Sequence, residues 1–326
     1  MRKNARIILK ATVIALCWVM MNGGLAFTQE KFPSKQMTII IPWAAGGGQD
    51  LAARAMQPHL EKMTGVPVLV VNKPGGGATI GFGEVMRSAP DGYTLCHISP
   101  SISIVKYTIK DTTVDYVKFE PILFSAYAPQ LVVGRKDAPW NTLKELLDFA
   151  KANPGKLRVA NTGYGAIHHM GAVGIELSAK IKVTHVPYKG TGAAIPEILG
   201  GHVDVLVTSL SDILHLVRGG SLKVIGVADS ARNKYIPEVQ TFLELGVNHK
   251  VLSYHAWLGP KGIPKERVKI LYDLFVKTLN TDEIKAFYDK QGATISVKDP
   301  AEFGKFLEEE DKRWKDLITN AGIKPE

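Results

Sequence analysis

Twice in this chain, about 120 residues apart, a short apolar run breaks into a glycine-rich turn and passes straight into a segment of helical period. The first unit is Thr38 to Ile41, then Pro-Trp-Ala-Ala-Gly-Gly-Gly-Gln-Asp50, then Leu51 to Met56. The second is Arg158-Val-Ala-Asn-Thr-Gly-Tyr-Gly165, with Ala166 to Ser178 as its helix. A strand, a glycine turn and a helix can each found one α/β lobe, and ligands in open α/β sheets sit beyond the carboxyl ends of the strands. Two such turns facing each other would make a cleft. Glycine removes Cβ and tolerates positive φ, so a ligand can reach the N–H groups that the first helical turn leaves unpaired, at the positive end of the helix dipole. A carboxylate there gains about 1.5 to 3 kcal/mol per charge-assisted hydrogen bond, without any Arg or Lys. A third glycine run, Pro74 to Gly81, follows Val68 to Asn72 and lines up with the same edge.

The rest of the pattern is α/β. Short apolar runs read as strands at Val68 to Val71, Leu95 to Ile98, Leu131 to Val133, Val203 to Val207 and Val224 to Val227. Leu143, Leu146, Leu147 and Ala150 make one helical stripe after Asn141, stopped by Asn153-Pro154-Gly155. Val268, Leu271, Tyr272, Phe275 and Leu279 make a second after Pro264. Asp299 caps a third with Pro300 at its first position, and Phe303, Phe306, Leu307, Trp314, Leu317 and Ile318 form its buried face. At 326 residues, 45% hydrophobic and 22% charged, the chain has the material for two medium domains and lacks the bias of disordered or multispan membrane proteins.

The first 26 residues read as an export signal. Arg2, Lys3, Arg6 and Lys10 precede an apolar Ala11 to Met21, and Gly24 and Ala26 are the small residues before a cut at Phe27. An uncleaved anchor needs about 20 apolar residues, more than this run supplies, and Leu16 before Cys17 is bulky for a lipid-attachment site. A periplasmic mature chain would keep one cysteine, Cys96, so packing rather than disulfides must hold it together. Cys96 lies in an apolar strand and reads as a buried, inert thiol. Loss of four cationic residues from a net +9 leaves +5, with no block of five basic residues for nucleic acid.

Chemical motifs are mostly absent. Leu51, Ile80 and His168 stand where a dinucleotide fingerprint needs its third glycine, and the phosphate loop, the G-x-S-x-G elbow, H-E-x-x-H and paired C-x-x-C do not occur. No metal or cofactor is expected. Adjacent His168 and His169 diverge by about 100° on a helix. Asp50 serves either as a helix cap or as a ligand contact. Trp43 walls the pocket or sits in the core. His168 donates to a ligand or lies on the surface, and Tyr164, between two glycines, faces the cleft or solvent.

Several of these segments together resemble the periplasmic substrate-binding receptors of tripartite tricarboxylate transporters, the Bug receptors. They are Ile41 to Asp50, Asn72-Lys-Pro-Gly75, Pro90-Asp-Gly-Tyr-Thr-Leu95, Ala150 to Gly155, His185-Val-Pro-Tyr-Lys-Gly190, Gly200-Gly-His-Val-Asp204 and Glu310 to Trp314. The resemblance implies an α/β fold of the periplasmic binding protein type, a two-lobed Venus flytrap whose lobes are each a mostly parallel sheet flanked by helices. It implies a carboxylate held by Ala45, Gly47, Gly48 and Asp50 on one side and by Thr162, Gly163, Gly165 and His168 on the other. The chain departs from the family in Trp43 and Gln49, where Phe and Thr are common, and in Tyr164, Ala166 and Ile167. Thr208-Ser209 replaces a frequent Asp-Asn pair that can receive an amino group. These differences lead to the expectation of a ligand without an ammonium group, with Trp43 and Tyr164 offering stacking area.

The expected organisation is a signal peptide over 1–26, lobe 1 from 27–125 plus 256–326, and lobe 2 from 126–255, with crossings near 124–127 and 254–257. The expected partners are a small carboxylate and an integral membrane permease of the tripartite tricarboxylate type, with no nucleic acid, and the receptor is expected to be a monomer. A sensor presenting the same closed lobes to a signalling receptor is one rival. An exported enzyme with His168 as base and Asp50 as its partner is another, and it lacks a nucleophile or metal set.

Overall fold

The computed structural model describes residues 31–326. The signal-peptide segment, its cleavage point at Phe27 and Cys17 lie outside the described residues. Among the described residues no helix is long and apolar enough to cross a membrane.

In one half, β1 (Met37–Ile41) lies between β2 (Val68–Asn72) and β3 (Thr94–Ile98), parallel to both. In the other, β5 (Arg158–Asn161) lies in the same way between β6 (Thr184–Pro187) and β7 (Val205–Ser209). Helices connect parallel neighbours and cover the sheet, which is why β1 can be Met-Thr-Ile-Ile-Ile with scarcely any polar face. They include α1 (Gly48–Thr64), α2 (Thr79–Met86) and the single turn α3 (Val105–Thr108), then α4 (Leu143–Ala152), α5 (Ile167–Ala179), α6 (Thr191–Leu199) and α7 (Leu210–Arg218). Towards the C-terminus follow α8 (Lys265–Leu279), α9 (Asp282–Lys290) and α10 (Pro300–Asn320).

The halves are joined by antiparallel strands. The 17-residue β4 (Phe119–Arg135) pairs with β9 (Leu252–Pro260) through Pro129, then with β7 and β8 (Leu222–Ala228) from Gln130 onward. A short β10 (Thr294–Lys298) pairs with its first part. The sheet is therefore mixed: parallel in each outer trio, antiparallel where the chain links them. Only Leu131 to Val133 of β4 had the look of a strand in the sequence, because Pro121 and Pro129 argue against a long one. The register shifts between Pro121 and Leu123, and again between Phe124 and Ala126, while Pro129 sits where the strand changes partners. Sequence reading missed β6, β9 and β10 as well. β9 carries Ser253 and His255, both buried, in place of an apolar run.

The three predicted helices form, but the buried face of α10 is narrower than its apolar stripe: Leu317, about 100° round the helix from Ile318, is exposed, and Phe306 is half-buried. A capping box of Thr142 and Glu145 opens α4, and one of Asp299 and Glu302 opens α10 behind Pro300. The α4 stripe packs into a core with Val159, Ile175, Val207 and Phe242. Trp314 and Ile318 of α10 meet Ile104, Ile167, Met170 and Val251 in a second cluster. Cys96 is a free, fully buried thiol whose pKa burial pushes up.

Candidate functional site

The first glycine turn is shaped from below. β1 ends at Ile41, the chain turns through Gly46 at φ +87, and α1 begins at Gly48 with Gly47 as its N-cap. Asp50 is therefore the third helical residue and not the cap. Its Oδ2 accepts from Gly46 N–H at 2.9 Å, and its Oδ1 accepts from Arg54 Nε and Asn72 Nδ2, each at 2.9 Å. Asn72 Nδ2 also donates to Trp43 O at 3.0 Å. The acceptor capacity of Asp50 is thus directed at its own loop.

The second turn runs from Thr162 to Ala166, the N-cap of α5. Ile167 N–H donates to Ser101 Oγ at 3.1 Å, and Gly165 N–H to His169 Nδ1 at 3.1 Å. Tyr164 lies against the His169 ring, 4.7 Å between centroids and tilted by 37°, and is not among the residues that line the cavity described below. Gln130 Nε2 lies 3.1 Å from His168 Nδ1, which puts the imidazole proton on Nε2. Burial lowers the pKa of His168 to about 4, with Asp212 pulling the other way, so the ring is neutral near pH 7. His168 and Asp50 do not pair: each has other partners, which removes the geometric basis of the enzyme reading.

Each glycine turn touches a segment of the opposite half. Ala44 N–H donates to Lys189 O at 2.8 Å, and a methyl group on Gly192 would collide with Ala45 O. Gly77 packs in the same way against Gly163. Between them lies a tight cavity of about 10 Å³, room for about one water molecule. Five of the expected residues line it: Trp43, Gly47, Gln49, Thr162 and His168. Trp43 Nε1 and Thr162 Oγ1 are buried there without a hydrogen-bond partner. Ala45 is exposed at the rim, and Gly48, Gly163, Gly165 and Ala166 form the loop backbone behind the lining. Thr208 and Ser209 complete β7, two residues beyond the expected strand end. They lie behind the cavity, Thr208 Oγ1 donating to Asp212 at 2.9 Å and Ser209 meeting Ser211 at 2.9 Å.

A model of the tripartite tricarboxylate transporter family receptor matches residues 52–323. The chain belongs to that family. Protein BugT of Bordetella pertussis is 28% identical over 309 residues, 93% of this chain and 95% of BugT. Among solved structures, the periplasmic binding protein BugD superposes with a TM-score of 0.87 at 28% identity, covering 90% of this chain and all of BugD. MatC from Rhodopseudomonas palustris, solved with bound malate, superposes at 0.81 with 25% identity, covering 88% of this chain and all of MatC. The protein is a periplasmic solute-binding receptor of α/β, two-lobed architecture.

Four residues of the receptor's cavity escaped sequence reasoning: Ser99, Ile167 as a lining group, Thr191 and Asp212. Ser99 follows β3 as Trp43 follows β1, and a Ser-Pro step at a strand end was the available signal. Thr191 comes directly after the Tyr188-Lys189-Gly190 segment. Asp212 had no local motif. It stands four residues after Thr208, in the first turn of α7, and only the fold turns its carboxylate inward. Among the described residues no His, Cys, Asp and Glu cluster of three or more could hold a metal.

Proposed function

We propose that this receptor captures a small organic carboxylate in the cavity between its two glycine turns, without turnover, and delivers it as a monomer to an integral membrane permease of the tripartite tricarboxylate type. The observation that carries this reading is the pair of buried, unpartnered polar groups, Trp43 Nε1 after β1 and Thr162 Oγ1 after β5. A buried donor with no acceptor costs about 1 to 3 kcal/mol. A carboxylate reaching both would remove that cost and tie one half to the other. The indole nitrogen can only donate, so the group it awaits is an acceptor. The bound malate in MatC supports the same class.

The ligand-contacting set we propose is Trp43, Gly47, Gln49, Thr162 and His168, with Ala45, Gly48, Asp50, Gly163, Tyr164, Gly165, Ala166, Thr208 and Ser209 shaping the site. In the two-lobed reading, lobe 1 comprises 27–125 and 256–326, lobe 2 comprises 126–255, and the halves turn about β4 and β9. The register shift between Phe124 and Ala126, opposite Ala256 and His255, gives that motion a place where pairing is already interrupted.

Calorimetry and thermal shift on mature protein, unfolded and refolded to strip retained solute, test the proposal against a panel of carboxylates. A ligand at a hundredfold excess over its Kd raises stability by about 2.7 kcal/mol. Gly47→Asp puts a carboxylate at the cavity wall, where a Cβ has ordinary contacts with Gly192 N and Thr191 Cβ at 3.8 and 3.9 Å. It should abolish carboxylate binding and keep the fold. Equal affinity in this variant, or consumption of the compound, would overturn the proposal.

A further inference from the structure

The cavity already contains an anion. Asp212 of α7 is 2% exposed, and its Oδ1 accepts from Gly48 N–H, at the start of α1, at 2.7 Å. Its Oδ2 accepts from Thr191 Oγ1 at 2.7 Å and Thr208 Oγ1 at 2.9 Å. His168 Nε2 stands 3.9 Å from the same oxygen. Three donors are thus committed to one carboxylate. The contact is built into the backbone, because any side chain at Gly48 would collide with Asp212 Oδ1. Among the described residues no Lys or Arg lines the cavity to neutralise it.

A buried negative charge changes what can bind beside it. One ligand carboxylate can settle on the free donors of Trp43 and Thr162. A second carboxylate pushed against Asp212 would meet a like charge in a desolvated space, which costs several kcal/mol. A carboxylate has about four lone-pair sites, and the three donors leave Asp212 with capacity for one more. The group that fits there is a donor.

We propose that Asp212 is a specificity-determining residue, and that the group the bound carboxylate turns towards Asp212 is a hydrogen-bond donor, an ammonium or a hydroxyl, and not a carboxylate. This inference rests on the carboxylate-capture reading and narrows it. It also replaces the expectation of a ligand without an ammonium group, which was drawn from neutral Thr208-Ser209: the acid is supplied from the next turn and reaches back onto Thr208.

The test uses matched sets of carboxylates that differ only in the second group, such as β-alanine, 3-hydroxypropionate and succinate, with their longer homologues. Titration calorimetry measures each against wild type, Asp212→Asn and Thr208→Val. In wild type the amino or hydroxy member should bind at least tenfold tighter than the dicarboxylate, and which of the two wins identifies the donor. Asp212→Asn, nearly isosteric, should shift the ratio about tenfold or more towards the dicarboxylate. Thr208→Val removes one donor and keeps the charge, so it should lower affinity without reordering the set. A wild type that prefers the dicarboxylate, or an Asp212→Asn variant with an unchanged ratio, overturns the role of Asp212 while leaving carboxylate capture intact. Thr208→Val reordering the ligands as strongly as Asp212→Asn would do the same, by reducing the effect to packing. Failure of every carboxylate in every set overturns the capture reading itself. Should Asp212→Asn not fold, the wild-type ranking and the Thr208→Val series still decide.

Discussion

Four histidines of this receptor, His168, His169, His249 and His255, have pKa values lowered to about 4, chiefly because burial penalises the charged ring. A base whose pKa is lower folded than unfolded binds fewer protons in the native state. Stability therefore falls as pH drops below the ordinary value of 6.5, and the loss is complete below about pH 4. His249 is the cleanest case, since desolvation is the only cause of its shift and the ring packs edge-on to Phe242. Moving from pH 7 to pH 5 should cost about 2 kcal/mol at this one residue. His249→Phe should flatten the pH dependence of urea unfolding by about that amount, whatever its effect at pH 7; an unchanged slope would mean that the ring titrates freely. At this scale the sequence was only partly readable. Trp43, Gln49, Thr162 and His168 stood out because they flank glycine turns at strand ends, which is a local pattern. Asp212 did not, because its role comes from the approach of α7 to the start of α1, between residues 164 apart in the chain.

Helix starts were the most legible elements, since a cap is written in four consecutive residues. Asp299 accepts from Ala301 and Glu302 N–H at 2.9 and 2.8 Å, and α10 behind it carries Phe303, Leu307, Trp314 and Ile318 into the core. Replacing a cap of this kind by alanine costs about 1 kcal/mol. Asp299→Ala should therefore lower the melting temperature by about 2 to 4 °C, read by circular dichroism. A drop many times larger would show that the cap holds more than its helix end. The linking strands were the least legible. β4 changes partners at Pro129 and Gln130 and bends at two register shifts, and neither a change of partner nor a bend leaves a period in the sequence. Its two prolines pointed away from the right answer because their positions beside irregular pairing could not be foreseen from composition.

At the scale of the whole molecule, the two halves come together through backbone. Gly47 faces Gly192, Ala44 bonds to Lys189, and Gly77 sits against Gly163. Gly192→Ala would drive a methyl group into Ala45 O, so the first turn and the start of α6 could not approach to this distance. The variant should fold normally, scatter X-rays as a more extended particle in the presence of ligand, and bind at least tenfold more weakly. A wild-type scattering curve with saturating ligand would show that closure does not pass through this contact. The α/β class and the two opposed turns were legible because strand and helix periods are local. The closeness of the turns was not, since it depends on how β4 and β9 place one half against the other.

The meeting of bare glycines also bears on how such a receptor can diversify. Surfaces made of backbone have no side chains to exchange, so substitution at Gly77, Gly163 or Gly192 disturbs closure before it alters preference. Variation is left to a few inward positions, such as Trp43 and Thr162, which can change independently of the lips. A lineage could pass from one nutrient to another by editing those positions while the clasp around them stayed the same.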